Sequence, residues 1–181
     1  AYGLDTLVTW YAETKETEMK NIIDNLVADL WRIADVNERE EYISLGGVSS
    51  STLQGGVTYL IDPLVRWYEI TGNESALKLA KYMANWFVRY SGIFRDNGSV
   101  NVGVRFYTHV ESKVRPLAGV IRLGLVTKNH ELINWGKRVF DYFESFSGGI
   151  GWYPEHLLDR SGSESCCIRS MVLSALLLAK A

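Results

Sequence analysis

The chain has 181 residues, 47% hydrophobic and 22% charged, which is the composition of a soluble globular protein. Nineteen Lys and Arg stand against 21 Asp and Glu, a formal charge of −2, so there is no electrostatic footprint for nucleic acid and none for an anionic membrane. No apolar run is long enough to span a bilayer, and the longest, from Met171 to Ala179, is broken by Ser174 and reads as a core helix.

Residues 1–12 lack the basic segment and apolar core of a secretory leader. A first helix is predicted from Thr14 to Ala34, followed by a loop from Glu41 to Ser50. The run Gly46-Gly47-Val48-Ser49-Ser50-Ser51 lacks the Gly-Lys-Ser/Thr ending of a phosphate-binding loop, and no strand precedes it. A helix is predicted from Ser51 to Ile70, with Gly55-Gly56 allowing close helix packing.

Thr71-Gly72-Asn73 supplies a turn. Gly takes the left-handed conformation that ends a helix, and Asn caps the next one. In that next helix Leu77, Ala80, Ala84 and Phe87 keep the three-and-four spacing of an apolar face. Gly92 to Tyr107, with Asp96-Asn97-Gly98 in the middle, reads as a short hairpin above the helices. A helix is then predicted from Val110 to Val126.

Pro63 to Tyr90 and Gly119 to Phe146 are related by an offset of 56 residues, which aligns Arg66 with Arg122, Thr71 with Thr127, Asn73 with Asn129 and Phe87 with Phe143. Each unit is a helical hairpin, the second with Lys128 in place of Gly72. The Gly-rich stretch from Ser145 to Ser163 reads as a long loop. The loops Glu41–Ser50, Gly92–Tyr107 and Ser147–Ser163 share one phase of the repeat, which gathers them at one end of the stack and makes that end the place for a site. The last helix is predicted from Glu164, still running at Ala181 with no stop signal, so the domain is expected to continue further.

Hairpins repeated at this length resemble the (α/α)6 toroids of many glycoside hydrolases, polysaccharide lyases and sugar epimerases. Six units of 56 residues need about 336, so the chain would be a partial toroid, about half, of an all-α protein. Half a toroid leaves helix faces without partners, and poor solubility is expected of it alone.

The stretch SGGIGWYPEHLLDRSGSESCCIRS, Ser147 to Ser170, resembles the signature of the retaining β-L-arabinofuranosidase family, glycoside hydrolase family 127 and its relatives. There a Gly-Gly-Ile-Gly turn precedes a Glu, and a Glu-x-Cys opens a helix. The resemblance implies that Glu155 is the general acid/base, and that Glu164 and Cys166 are two ligands of a zinc ion. It also implies that the remaining ligands, including the cysteine that attacks the sugar, lie beyond Ala181. The substrate would be a carbohydrate, and this stretch alone would be inactive. Glu155 and Glu164 are nine residues apart, closer than in the family.

The residues themselves bear on this chemistry. A carboxylate and a thiolate two residues apart at a helix entrance can face one ion, and the helix N-terminus is expected to lower the thiol pKa. The plainer reading makes Glu164 a helix-start acid and Cys166 a small buried hydrophobe. The adjacent Cys166 and Cys167 do not reach normal disulfide geometry. Around Glu155, Trp152, Tyr153 and Pro154 are expected to desolvate the carboxyl, as a general acid requires. Trp152, His156 and His109 are candidates for substrate binding, with Tyr107 and Arg105 behind them. For His109 and Glu111, at the start of a helix, the plainer role is N-terminal capping with Thr108 or Ser112. Two other functions fit the same architecture: an epimerase or lyase with structural cysteines, and a non-catalytic helical-repeat binding module.

Overall fold

The computed structural model describes residues 2–44, 58–101, 109–148, 151–157 and 162–181. Among them the chain is mostly helical: α1 (Tyr2–Thr14), α2 (Thr17–Ile33), α3 (Ile61–Thr71), α4 (Glu74–Asn85), α5 (Glu111–Thr127), α6 (His130–Glu144) and α7 (Ser165–Leu178). A two-stranded antiparallel ribbon, β1 (Asp35–Asn37) and β2 (Tyr42–Ser44), follows α2 with Val36 opposite Ile43. No helix of the described residues is long and apolar enough to cross a membrane.

The helices form two rows. α1, α3, α5 and α7 pack successively against one another, and α2, α4 and α6 back them. The central row explains why α5 is buried round most of its circumference, from Glu111 to Gly124. Close approach is achieved at Gly119, where an added Cβ would stand 2.7 Å from the backbone nitrogen of Asp62 and 2.9 Å from Ile61 Cβ. The apolar face read from the sequence is buried as a set: Leu77, Ala80, Ala84 and Phe87 are each at most 5% exposed. The helix carrying it runs on from α4 as a π turn, Trp86–Tyr90, closed by Ser91 N–H on the Trp86 carbonyl at 2.8 Å.

The 56-residue repeat has a physical counterpart in four paired features. Arg66 reaches back to Asp5 at 2.8 Å, and Arg122 reaches back to Asp62 at 2.7 Å, so each ties its helix to the preceding member of the row. Thr71 and Thr127 both turn their hydroxyls onto the carbonyl four residues earlier, at 2.6 and 2.7 Å. Gly72 and Lys128 both end their helices left-handed, at φ 72° and 54°. Asn73 and Asn129 both cap the helix that follows, accepting from Ala76 N–H, and from Glu131 and Leu132 N–H. Because a lysine in this conformation is strained where glycine is not, Lys128→Gly is expected to stabilise the protein by about 1 kcal/mol, visible as a raised urea midpoint at unchanged slope.

Several boundaries differ from the sequence reading. The helix predicted from Thr14 to Ala34 is present as α2, Thr17–Ile33, and a further helix that was not predicted, α1, precedes it over Tyr2–Thr14, with Lys15 at φ 58° turning the chain between the two. The ribbon Asp35–Ser44 was not anticipated, because strands of three residues carry no readable alternation. The helix predicted from Ser51 is described from a 3-10 turn at Thr58–Leu60, and both Gly55-Gly56 and the Gly46–Ser51 run lie outside the described residues. α7 does not run to Ala181; it ends at Leu178, where Ala179 N–H meets the Ala175 carbonyl.

The predicted hairpin is present over its described part, with Phe94 opposite Val100 and Gly98 (φ 84°) in the turn. It lies against α6 rather than over the row, since Arg138 donates to the Asp96 carbonyl at 3.1 Å. Unpartnered apolar side chains are also present: Trp10, Val172 and Leu176 are 53%, 53% and 59% exposed.

Candidate metal centre

The loop before α7 and the start of α5 are stitched together by backbone. His109 forms an antiparallel bridge with His156, and Val110 N–H donates to the Glu155 carbonyl at 2.8 Å. Glu155 N–H in turn donates to the Gly162 carbonyl at 2.9 Å, beside a bridge between Pro154 and Ser163. The His109 carbonyl receives Ser112 Oγ at 2.7 Å and Lys113 Nζ at 3.0 Å. These bonds tie the segment entering α5 to the loop before α7 and fix the backbone of the candidate residues on both.

Glu164 is the residue before α7, yet its side chain caps no backbone N–H. Its Oε2 instead lies 2.7 Å from His109 Nε2 and accepts from Cys166 Sγ at 2.9 Å. Ligand atoms of His109, Glu164, Cys166 and Cys167 all lie within 4.8 Å of one another. The plainer reading of Glu164 as a helix-start acid therefore does not describe what its carboxylate does. Two metal donors were read from the sequence; the fold brings four together, adding His109 and Cys167.

The donor set suits a divalent ion of borderline softness: one imidazole, one carboxylate and two sulfurs. Bond lengths of about 2.0–2.3 Å in a tetrahedral zinc shell place neighbouring donors roughly 3.3–3.8 Å apart. The two shortest contacts, held by protons, need to open only slightly to admit an ion in place of those protons. Glu111, whose charge acts on both thiols, stands outside this donor set, and its buried Oε2 has no hydrogen-bond partner among the described residues.

Electrostatics corrects one expectation. The helix N-terminus was expected to lower the thiol pKa, but burial first, and then the bond to Glu164, pushes Cys166 up to about 11. Burial pushes Cys167 higher still, with the neighbouring Cys166 adding to it. The thiol hydrogen bond from Cys166, followed by the contact with His109, holds Glu164 below the usual carboxylate range. Without a cation the cluster is thus a carboxylate served by protonated sulfur. A bound divalent ion supplies the positive charge that reverses the preference of the thiols.

Glu111 is the acid whose setting the sequence conceals. It is 3% exposed, and burial raises its pKa to about 7 against the opposing influence of Ser170, Arg115 and Arg169. A Glu at the first position of a helix ordinarily faces water, so nothing in the local pattern signals this burial. Cys167 had a faint signal, since it begins the buried stripe Cys167, Ser170, Met171, Ser174, Leu177 of α7.

The loop residues stand around this cluster. Glu155 has a side chain 36% exposed, and its Oε1 lies 3.0 Å from His156 Nε2. The shielding expected from Tyr153 is directed elsewhere, because its hydroxyl bonds Glu144. The His156 ring packs edge-on to His109 at 5.5 Å between centroids, which links the Glu155–His156 pair to the cluster. Trp152 is half-buried on the same loop and takes no part in the cluster. Arg105, Tyr107 and Thr108 lie outside the described residues, as do Gly149 and Ile150 of the Gly-Gly-Ile-Gly turn. Comparison with protein-family models, curated proteins and solved structures gives no match.

Proposed function

We propose that this chain carries one mouth of an (α/α)6 toroid in a zinc-dependent glycoside hydrolase of the retaining, cysteine-assisted type. The observation that supports the reading is the His109–Glu164–Cys166–Cys167 cluster at the joined N-termini of α5 and α7, on the loop-rich side of a double row of helical hairpins. The resemblance of Ser147–Ser170 to the β-L-arabinofuranosidase signature supplies the reaction class.

His109, Glu164, Cys166 and Cys167 would hold the ion, whose chemistry is to keep sulfur in its thiolate form at neutral pH. Cys166 is the half-buried thiol of the pair and Cys167 the fully buried one, so Cys166 is the sulfur open to a ligand. Glu155 holds the proton for the leaving oxygen, with His156 orienting its carboxylate at 3.0 Å. Trp152 and His156 border the sugar.

A second reading draws on the same cluster. Four protein donors complete the shell of a zinc ion, as structural sites do, whereas catalytic zinc keeps a position open. The protein would then be an epimerase or lyase of toroid architecture with a structural metal.

The two separate in one experiment on the complete protein. The hydrolase reading expects about one zinc per chain by metal analysis, and cleavage of aryl glycosides that stops on chelation and returns with zinc. Glu155→Gln should lower turnover by about 10²–10⁴-fold while leaving metal content unchanged. Near-normal turnover in Glu155→Gln removes the acid/base role, and sugar chemistry that survives complete metal removal favours the second reading.

A further inference from the structure

Lys113 is a buried cation that the chemistry above leaves unused. It is 2% exposed on the first turn of α5, and its ammonium donates to the His109 carbonyl at 3.0 Å and to Ser112 Oγ at 3.0 Å. Taking an ammonium out of water is costly, so a lysine in this position calls for a reason.

Satisfying the carbonyl is not a sufficient one. The His109 carbonyl stands outside the hydrogen-bond ladder of α5, because the N–H groups of Lys113 and Val114 both go to Val110. Ser112 Oγ already donates to it at 2.7 Å, the shorter of the two side-chain bonds. One hydroxyl meets the need of a buried acceptor, and an apolar side chain in place of the lysine would avoid the desolvation.

His109 differs from other residues at a helix start in what its side chain does. Its Nε2 lies 2.7 Å from Glu164 Oε2, and it is one of the four donors of the cluster. A metal ligand is aimed by its backbone, and groups outside the ligand shell supply the hold. The bridge to His156 and the bond from Val110 N–H to the Glu155 carbonyl tie this segment to a loop. Lys113 ties it instead to α5 itself, through a charge-assisted bond that reaches back four residues. Sites anchored on helices are held more precisely than sites anchored on loops.

We propose that Lys113 is a positioning residue of the metal centre. By clamping the His109 carbonyl to the first turn of α5, it holds the imidazole where an ion takes it. The inference rests on the metal reading above and adds to it a residue outside the donor set, whose effect on the ion passes through His109.

The test is a double-mutant cycle in zinc affinity on the complete protein, read by competition with a chromogenic chelator. Lys113→Met keeps the length and apolar stem of the lysine and removes the ammonium. It is expected to weaken zinc binding about 10–100-fold, the usual cost of losing an outer partner of a metal ligand. The metal-free melting temperature should stay level or rise, since a buried charge has been replaced by an apolar group. In a His109→Ala background the same substitution should change affinity by less than about two-fold, because the side chain it acts through is gone. Cobalt(II) in place of zinc gives a second readout. Its visible ligand-field bands should move in Lys113→Met, and should be the same in His109→Ala with or without the lysine.

Unchanged zinc affinity in Lys113→Met, or an effect of equal size in both backgrounds, overturns the proposal. So does a Lys113→Met protein that fails to fold or melts lower without metal, for the lysine would then be a support of the fold. Failure of the wider readings is distinct. A parent protein that takes up neither zinc nor cobalt overturns the metal centre and this role with it, whereas zinc bound without cleavage of glycosides overturns only the hydrolase.

Discussion

Chelation of the zinc-loaded protein is expected to lower its melting temperature by about 8–16 °C. An ion present at a thousand times its dissociation constant contributes about 4 kcal/mol to the folded state, and in a chain of this size each kcal/mol moves the midpoint by about 2–4 °C. The coupling is expected because the candidate donors come from the segment entering α5, the residue before α7 and the first turn of α7, which only the folded chain brings together. His109→Ala and Cys166→Ser should each lose most of the zinc-induced shift while leaving the metal-free melting temperature close to that of the parent. Zinc uptake at neutral pH should release about two protons, since both thiols enter the site protonated. A melting temperature indifferent to zinc and chelator would mean that the four side chains form a hydrogen-bonded network and nothing more.

Trp67→Ala is expected to destabilise the protein by about 4 kcal/mol, the usual cost of removing a buried large aromatic. Trp67 is 0% exposed at the centre of α3 and meets the Tyr11 ring edge-to-face at 5.0 Å. Its Nε1 donates to Asp24 at 2.9 Å, and Asp24 also receives Asn73 at 2.8 Å and Lys20 at 2.6 Å. The indole therefore joins α1, α2 and the turn after α3, and its removal opens a cavity and weakens that junction together. Chemical denaturation gives the value directly. Trp10→Ala is the companion measurement: at 53% exposure it should change stability by no more than about 0.5 kcal/mol, and an equal loss in both variants would contradict the packing described here.

These two tryptophans mark how far the sequence could be read. Trp67 falls on the repeat and in an apolar run, so its burial follows from pattern. Trp10 sits in a segment where no helix was predicted, because among the described side chains of α1 only Leu4 and Val8 are buried apolar positions. The site was legible in the same uneven way. Glu164 and Cys166 stand two residues apart at a helix entrance, a local arrangement with a local chemical meaning. His109 lies 55 residues away, and its part in the cluster depends on the bridge to His156.

The amino-acid order alone determined the helical hairpins, their 56-residue period and the Asn-capped turns, because these arise from interactions between residues at most a few positions apart. It also singled out Glu164 and Cys166, at the entrance of α7, as metal-ligand candidates. Only the tertiary structure decided that His109 and Cys167 join Glu164 and Cys166, that Glu111 is buried with its pKa near 7, and that three arginines from α3, α5 and α7 meet at Asp5 of α1. The reason is physical. Burial, charge balance and the number of donors around a point are set by which helices pack side by side, and no property of a single helix contains that information.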